Sequence, residues 1–210
     1  SDTVCLVDSG AQYADGTTDV TRTVWIGPGD PPAEVREAFT RVLMGHLLPG
    51  QAVFPVDTAG CALDALARYA LWQGGLDFDH GTGHGVGSYL SVHEGPQRIS
   101  RLPDRVALEP GMILSNEPGY YRPGAFGIRL ETLVMVAESA AGRDGRNFLG
   151  FETLTLAPFD RRLVDRGLLG AELAEILDFY HKKVLNLVGP LLPAEAREWL
   201  AHSCSPINRK

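Results

Sequence analysis

The chain predicts an α+β fold with a largely antiparallel sheet. Strand-like segments rich in β-branched residues open the sequence, helical segments follow, and strand-like segments return before a helical end. The apolar spacing switches between period two and period 3.6 along the same divisions. Between the helices and the second set of strands lies a stretch, residues 74–95, that is dense in Gly and His and follows neither period.

Val4-Cys-Leu-Val-Asp8 reads as a short buried strand, and residues 17–26, rich in Thr and Val, as a second. Asp15-Gly16 between them is a common hairpin turn pair. Asp30-Pro31 opens a helix, with Asp30 as N-cap and Pro31 at the first helical position. That helix runs to about Leu48 and stops at Pro49-Gly50. A second helix begins near Asp57, with Leu63, Leu66, Ala67, Ala70 and Leu71 on one face, and ends at Gly74-Gly75. Strands are expected at 111–116, 127–136 and 148–156. A last amphipathic helix covers about 171–187, carrying Leu173, Ile176, Leu177, Tyr180 and Val184 on one face. A short helix near 194–201 and a polar tail finish the chain. No short-period repeat and no low-complexity linker interrupts it.

At 210 residues, 44% hydrophobic and 21% charged, the chain suits one large domain with a substantial core. The net charge of −7 and the lack of a basic patch argue against nucleic acid as a partner. No apolar run reaches the roughly 18 residues of a membrane span. Three widely spaced cysteines, Cys5, Cys61 and Cys204, without a C-x-x-C pair, read as reduced, small buried hydrophobes and place the protein in the cytoplasm. The first residues carry no initiator Met and no signal peptide, and they enter a strand at once, so the start reads as cut.

The chemistry concentrates in Asp8, Asp19, His84, Glu117 and Glu131. Asp is depleted from strands, yet Asp8 follows Val-Cys-Leu-Val and Asp19 lies inside Thr-Thr-Asp-Val-Thr. Glu131 is embedded in a β run, and Glu117 ends Met-Ile-Leu-Ser-Asn. Each alone has an ordinary reading, as a strand end, a turn residue or a loop hydrogen-bonder. Together, four carboxylates and one imidazole form an oxygen-rich set for divalent cations, since buried carboxylates are costly unless paired or on a metal. Manganese, cobalt or zinc suits that mix. Two cations fit better than one, because the set exceeds what a single catalytic zinc uses. The hairpin poses a geometric difficulty. A two-residue turn at Asp15-Gly16 sets Asp19 opposite Gln12, so pairing Asp8 with Asp19 calls for a longer connection of about six residues or a bulge. Arg129 shares a strand face with Glu131 by period two and can support the ligands. His46, His181 and His202 lie on or near helices and read as structural or exposed.

These residues sit in segments that resemble the Xaa-Pro aminopeptidases. Asp8-Ser-Gly-Ala-Gln-Tyr-Ala-Asp-Gly-Thr-Thr-Asp19-Val-Thr-Arg-Thr23 is similar to that family's first metal-binding segment. His80-Gly-Thr-Gly-His84-Gly-Val-Gly-Ser-Tyr-Leu-Ser-Val-His93-Glu-Gly-Pro96 is similar to its histidine segment. Ser115-Asn-Glu117-Pro-Gly-Tyr-Tyr121 and Gly127-Ile-Arg-Leu-Glu131-Thr resemble its two glutamate segments. The match runs from about residue 3 to the end, including Phe151-Glu-Thr-Leu-Thr-Leu.

The resemblance implies the pita-bread fold, with a C-terminal helical extension over about 160–210. It implies that Asp8, Asp19, His84, Glu117 and Glu131 hold two metals, usually manganese, with Asp19 and Glu131 bridging. His80 falls near a proline pocket and His93 near the scissile peptide. The implied reaction is release of the first residue from peptides with proline second, by a hydroxide held between the metals, with Glu117 passing the proton. Dimerisation through the catalytic domain is compatible with it. Family members carry further N-terminal domains, and helices and a strand precede the segment at Asp8, so the chain reads as a pita-bread domain lacking its first segment. The alternatives are a prolidase-like dipeptidase, a non-catalytic peptide-binding module and a metal-free creatinase-like hydrolase. The presence of all five ligand residues disfavours the last two.

Overall fold

The structure is a computed structural model describing residues 2–89, 91–103, 105–140 and 142–207. Leu90 within the histidine segment and the end of the polar tail, 208–210, lie outside the described residues. Two long strands, β1 (Thr3–Tyr13) and β2 (Gly16–Ile26), form an antiparallel hairpin. Helix α1 (Ala33–Gly50) follows, then the short strand β3 (Phe54–Pro55), a 3-10 turn at Gly60–Ala62 and helix α2 (Asp64–Trp72). The short strands β4 (Gly83–His84) and β5 (Arg98–Ile99) pair with each other. Next come β6 (Ile113–Asn116), the hairpin of β7 (Gly119–Arg122) with β8 (Phe126–Arg129), then β9 (Thr132–Glu138) and β10 (Phe148–Thr153). The chain closes with α3 (Arg166–Leu169), α4 (Ala171–Val188) and α5 (Ala194–Ser203). The main sheet has the order β3-β10-β9-β6, and all its pairings are antiparallel, as the sequence predicts.

Helix α1 is the spine of the core. Its Phe39, Val42 and Leu43 are fully buried against Ile128, Leu130, Phe159, Leu163 and Leu177. A second cluster, including Phe54, Leu108, Leu114, Val134, Val136 and Leu149, fills the space beneath the main sheet. The face expected on α4 is the buried one: Leu173, Ile176, Leu177 and Tyr180 pack on the α1 core, and Val184 on Leu200 and Cys204. Phe39→Ala is expected to destabilise the fold by about 3–5 kcal/mol, read as a lowered urea midpoint. A loss below about 1 kcal/mol would mean that α1 is not the spine.

Several boundaries differ from the sequence expectation. Helix α1 begins at Ala33 with Pro32 as N-cap, and no side chain caps it. Pro31 precedes a second proline, which disfavours helical backbone at Pro31, so Asp30 lies too far upstream to cap. Asp57 does not start a helix; its φ of 66° puts it in a left-handed turn, and α2 starts at Asp64. Leu66, expected on the apolar face of α2, is 38% exposed, while Leu63, Ala67, Ala70 and Leu71 are buried. The strand expected over 127–136 breaks at Leu130-Glu131, where the Glu131 amide donates to Thr21 O (3.0 Å) and the Leu130 amide to Pro118 O (3.2 Å). Cys204 is buried, but Cys5 and Cys61 are only half-buried. His46 and His181 are structural, bonded to Leu130 O (3.1 Å) and the Phe159 amide (3.1 Å), and His202 is exposed.

Candidate metal centre

The hairpin resolves its own geometric difficulty. The turn falls at Ala14-Asp15, because Tyr13 pairs with Gly16. Asp19 therefore faces Gly10, and Asp8 faces Thr21. Directly opposed residues share a face, and residues two apart on one strand share it too. Asp8 and Asp19 thus project from one face as diagonal neighbours, with neither a bulge nor a long connection. Gly10 lies between them on that face, where a Cβ would crowd Thr18 O at 3.0 Å. The same face carries Val4 and Trp25 into the core at its other end, which fixes the hairpin's position.

The remaining ligand candidates come from three other segments. Strand β4 brings His84, the end of β6 brings Glu117, and the break between β8 and β9 brings Glu131. His84 Nε2 lies 3.3 Å from Glu117 Oε1, 3.7 Å from Asp19 Oδ2 and 4.0 Å from Glu131 Oε1. Ligand atoms of Asp19, His84 and Glu131 all fall within 4.8 Å of one another. Gly83 permits this approach, since a Cβ there would meet Ser115 O at 1.9 Å. Asp8 stands at the rim, half exposed, with its Oδ2 2.6 Å from Arg129 Nη2. Five residues expected as ligands therefore line one open cleft of about 410 Å³, together with His93.

Polar neighbours orient them. His84 Nδ1 bonds Gly85 O (3.0 Å), which assigns the ring proton to Nδ1 and leaves the Nε2 lone pair facing the carboxylates. Thr21 donates to Glu131 Oε2 (2.7 Å). Ser115 Oγ donates to Glu117 Oε1 (2.9 Å) and accepts from the His84 amide (2.9 Å). Arg129 acts on Asp8, and its Nε stands 4.0 Å from Glu117 Oε2. It reaches the site although the strand breaks before Glu131. His80 Nε2 bonds the Tyr121 hydroxyl (2.9 Å), which accepts from Arg129 (3.0 Å). His93 meets His84 edge to face, with ring centroids 4.1 Å apart and planes at 72°. Thr21, Ser115 and Tyr121 escape sequence reasoning. Thr21 and Ser115 carry a signal there, each two residues from an acid of the cluster, Asp19 and Glu117.

Electrostatics show what the cluster lacks. Burial pushes Glu131 up to about 8, with repulsion from Glu117, Asp19 and Asp8 adding to it. Burial pushes Glu117 up to about 7, against hydrogen bonding from Ser115 and the charge of Arg129. Burial and then the charge of Asp8 also raise Asp19. Converging carboxylates held this close, with one imidazole lone pair aimed among them, are a donor set matched to divalent cations.

Comparison with known proteins defines the class. The chain matches metallopeptidase family M24 over residues 1–138 and the C-terminal region of peptidase M24 over residues 147–207. It belongs to metallopeptidase family M24, and its fold is the pita-bread fold. Within that class the similarity is specific. A probable Xaa-Pro aminopeptidase P of Laccaria bicolor is 50% identical over 98% of this chain and 33% of its own length. The crystal structure of an X-prolyl aminopeptidase from Caenorhabditis elegans, described as a cytosolic enzyme with a di-nuclear active site, superposes with a TM-score of 0.91. It is 46% identical, over 97% of this chain and 34% of that one. A prolidase from Pyrococcus furiosus superposes less well, with a TM-score of 0.59, 32% identity and coverage of 71% of this chain and 40% of that one. The chain spans about a third of the length of the curated relatives it matches. Among the described residues, no helix is long and apolar enough to cross a membrane.

Proposed function

We propose that the chain is the catalytic region of an Xaa-Pro aminopeptidase, which releases the first residue from peptides with proline in second position. The convergence of Asp19, His84, Glu117 and Glu131 around one point carries this reading. Asp8, Asp19, His84, Glu117 and Glu131 would hold two divalent ions, with manganese proposed and zinc or cobalt as alternatives. When bound, such a pair supplies an activated water and polarises the scissile carbonyl. Glu117, beside His84 and held by Ser115, takes the proton from the attacking water and delivers it to the leaving amine. His93, on the cleft wall beside His84, donates a hydrogen bond to the substrate carbonyl. His80, joined through the Tyr121 hydroxyl to Arg129, is assigned to the side of the proline ring. The acidic cleft favours the free, positively charged amino terminus, which restricts cleavage to the first peptide bond.

The pita-bread region over 1–210, with its helical extension from about 160, is proposed to act within a cytoplasmic protein, in keeping with the Caenorhabditis elegans relative described as cytosolic. Identity of 46–50% to Xaa-Pro aminopeptidases over nearly the whole chain favours an aminopeptidase over a dipeptidase. The first test is metal stoichiometry after loading with manganese and removing excess. Two ions per chain are expected, and near zero would sink the reading. Tripeptides with proline second then separate the activities: a dipeptidase would leave them intact.

A further inference from the structure

Arg22 is buried, on the face of β2 turned away from the cleft. All five of its N–H donors are engaged. Nη1 donates to Thr21 O (2.8 Å) and Glu131 O (2.5 Å). Nη2 donates to Ala157 O (2.8 Å), the Tyr180 hydroxyl (3.1 Å) and Thr132 Oγ1 (3.4 Å). Nε is shared between Ala157 O (3.3 Å) and Pro158 O (3.2 Å). The guanidinium lies 4.2 Å over the ring of Phe159. One side of this fork thus holds the backbone of Glu131 and of the strand bearing Asp19. The other side holds the segment after β10 and helix α4.

Tyr180 locks the second side. Its hydroxyl donates to Ala157 O (2.8 Å) and accepts from the Ala157 amide (3.2 Å) as well as from Arg22. The same segment touches the site by a second route: Thr155 Oγ1 accepts from the Leu133 amide (2.9 Å) and reaches Asp19 O (3.4 Å). Directly from Thr155, and through Arg22 from Ala157 and Tyr180, these bonds link residues 147–207, the part matched separately as a C-terminal region, to the backbone carbonyls of Asp19 and Glu131.

We propose that the C-terminal region sets the position of Glu131 and Asp19 through Arg22, a positioning residue that α4 holds in place by way of Tyr180. This rests on the metal-site reading above. A rigid planar fork is suited to the task, because from β2 it fixes the carbonyl of Glu131 relative to those of Ala157 and Pro158, which a lysine ammonium cannot do. Ligands whose supporting bonds are removed bind metal about 10–100-fold more weakly.

The test is manganese affinity by calorimetry on the chain and three variants. Arg22→Lys is expected to weaken binding about 10–100-fold, and Tyr180→Phe, which keeps the ring on Phe159, several-fold. Leu108→Ala, buried in the second cluster away from the fork, is the control; it should lower the thermal midpoint and leave affinity unchanged. If Arg22→Lys fails to fold, Tyr180→Phe decides alone. Wild-type affinity in folded Tyr180→Phe overturns the proposal, and so does an affinity that follows the thermal midpoint across all variants, Leu108→Ala included. If the unsubstituted chain takes up no manganese, the function reading falls and this inference with it.

Discussion

Glu117→Gln is expected to cut turnover of a tripeptide with proline second by about 10²–10⁴-fold, the usual contribution of a positioned proton-transfer group. The substitution is isosteric, so Ser115 keeps a partner at the position where it now donates at 2.9 Å. Neutralising a carboxyl that burial has already pushed up to about 7 removes little that holds the chain together. The thermal midpoint of the metal-free variant should therefore match or slightly exceed that of the unsubstituted chain. Glu117 is proposed both to hold a metal and to move a proton, so stoichiometry must be measured beside the rate. Loss of rate with both ions retained assigns the proton role, and loss of rate with loss of one ion assigns the ligand role. A variant retaining more than about a tenth of the activity would remove Glu117 from the mechanism.

Much of this cluster was legible because its acids stand where local rules disfavour them. An Asp inside each of two strands conflicts with strand preference, as does a Glu that the sequence sets in a β run and the structure in the break between β8 and β9, and each lines the cleft. Helix α4 was legible for a different reason, since its apolar residues recur at helical spacing on one face. What escaped depended on single backbone positions. The hairpin turn lies one residue earlier than Asp15-Gly16 suggests, and that alone moves the partner of Asp19 from Gln12 to Gly10. The break at Leu130-Glu131 comes from long-range bonds to Thr21 and Pro118, which no local pattern encodes. Arg22 escaped as well. In Val-Thr-Arg-Thr-Val it looks like a surface strand residue, and only the packing of α4 and Phe159 around it reveals a buried fork.

Metal-free and manganese-loaded chains are expected to respond to pH in opposite directions. Glu131 and Glu117 are raised from 4.5 to about 8 and about 7 in the folded chain, chiefly by burial. A carboxyl raised by folding binds its proton more tightly in the folded chain than in the unfolded one. The stability this contributes is complete below about pH 4.5 and is lost as pH rises through the folded values of about 7 and 8. Each pH unit between unfolded and folded values corresponds to about 1.4 kcal/mol, so the pair together shifts stability by at most about 8 kcal/mol. A divalent cation binds the deprotonated carboxylates, so its stabilisation grows over the same window. Thermal midpoints measured from about pH 5 to 8 should therefore fall without metal and hold or rise with it, and the gap should widen. Parallel curves would mean that these carboxyls do not bind the ion. Glu131→Gln sharpens the test: it should raise the metal-free midpoint at the upper end of the window and abolish the gain from manganese. A cluster that costs the fold stability at neutral pH, and whose cost a cation reverses, is arranged for the cation rather than for the fold.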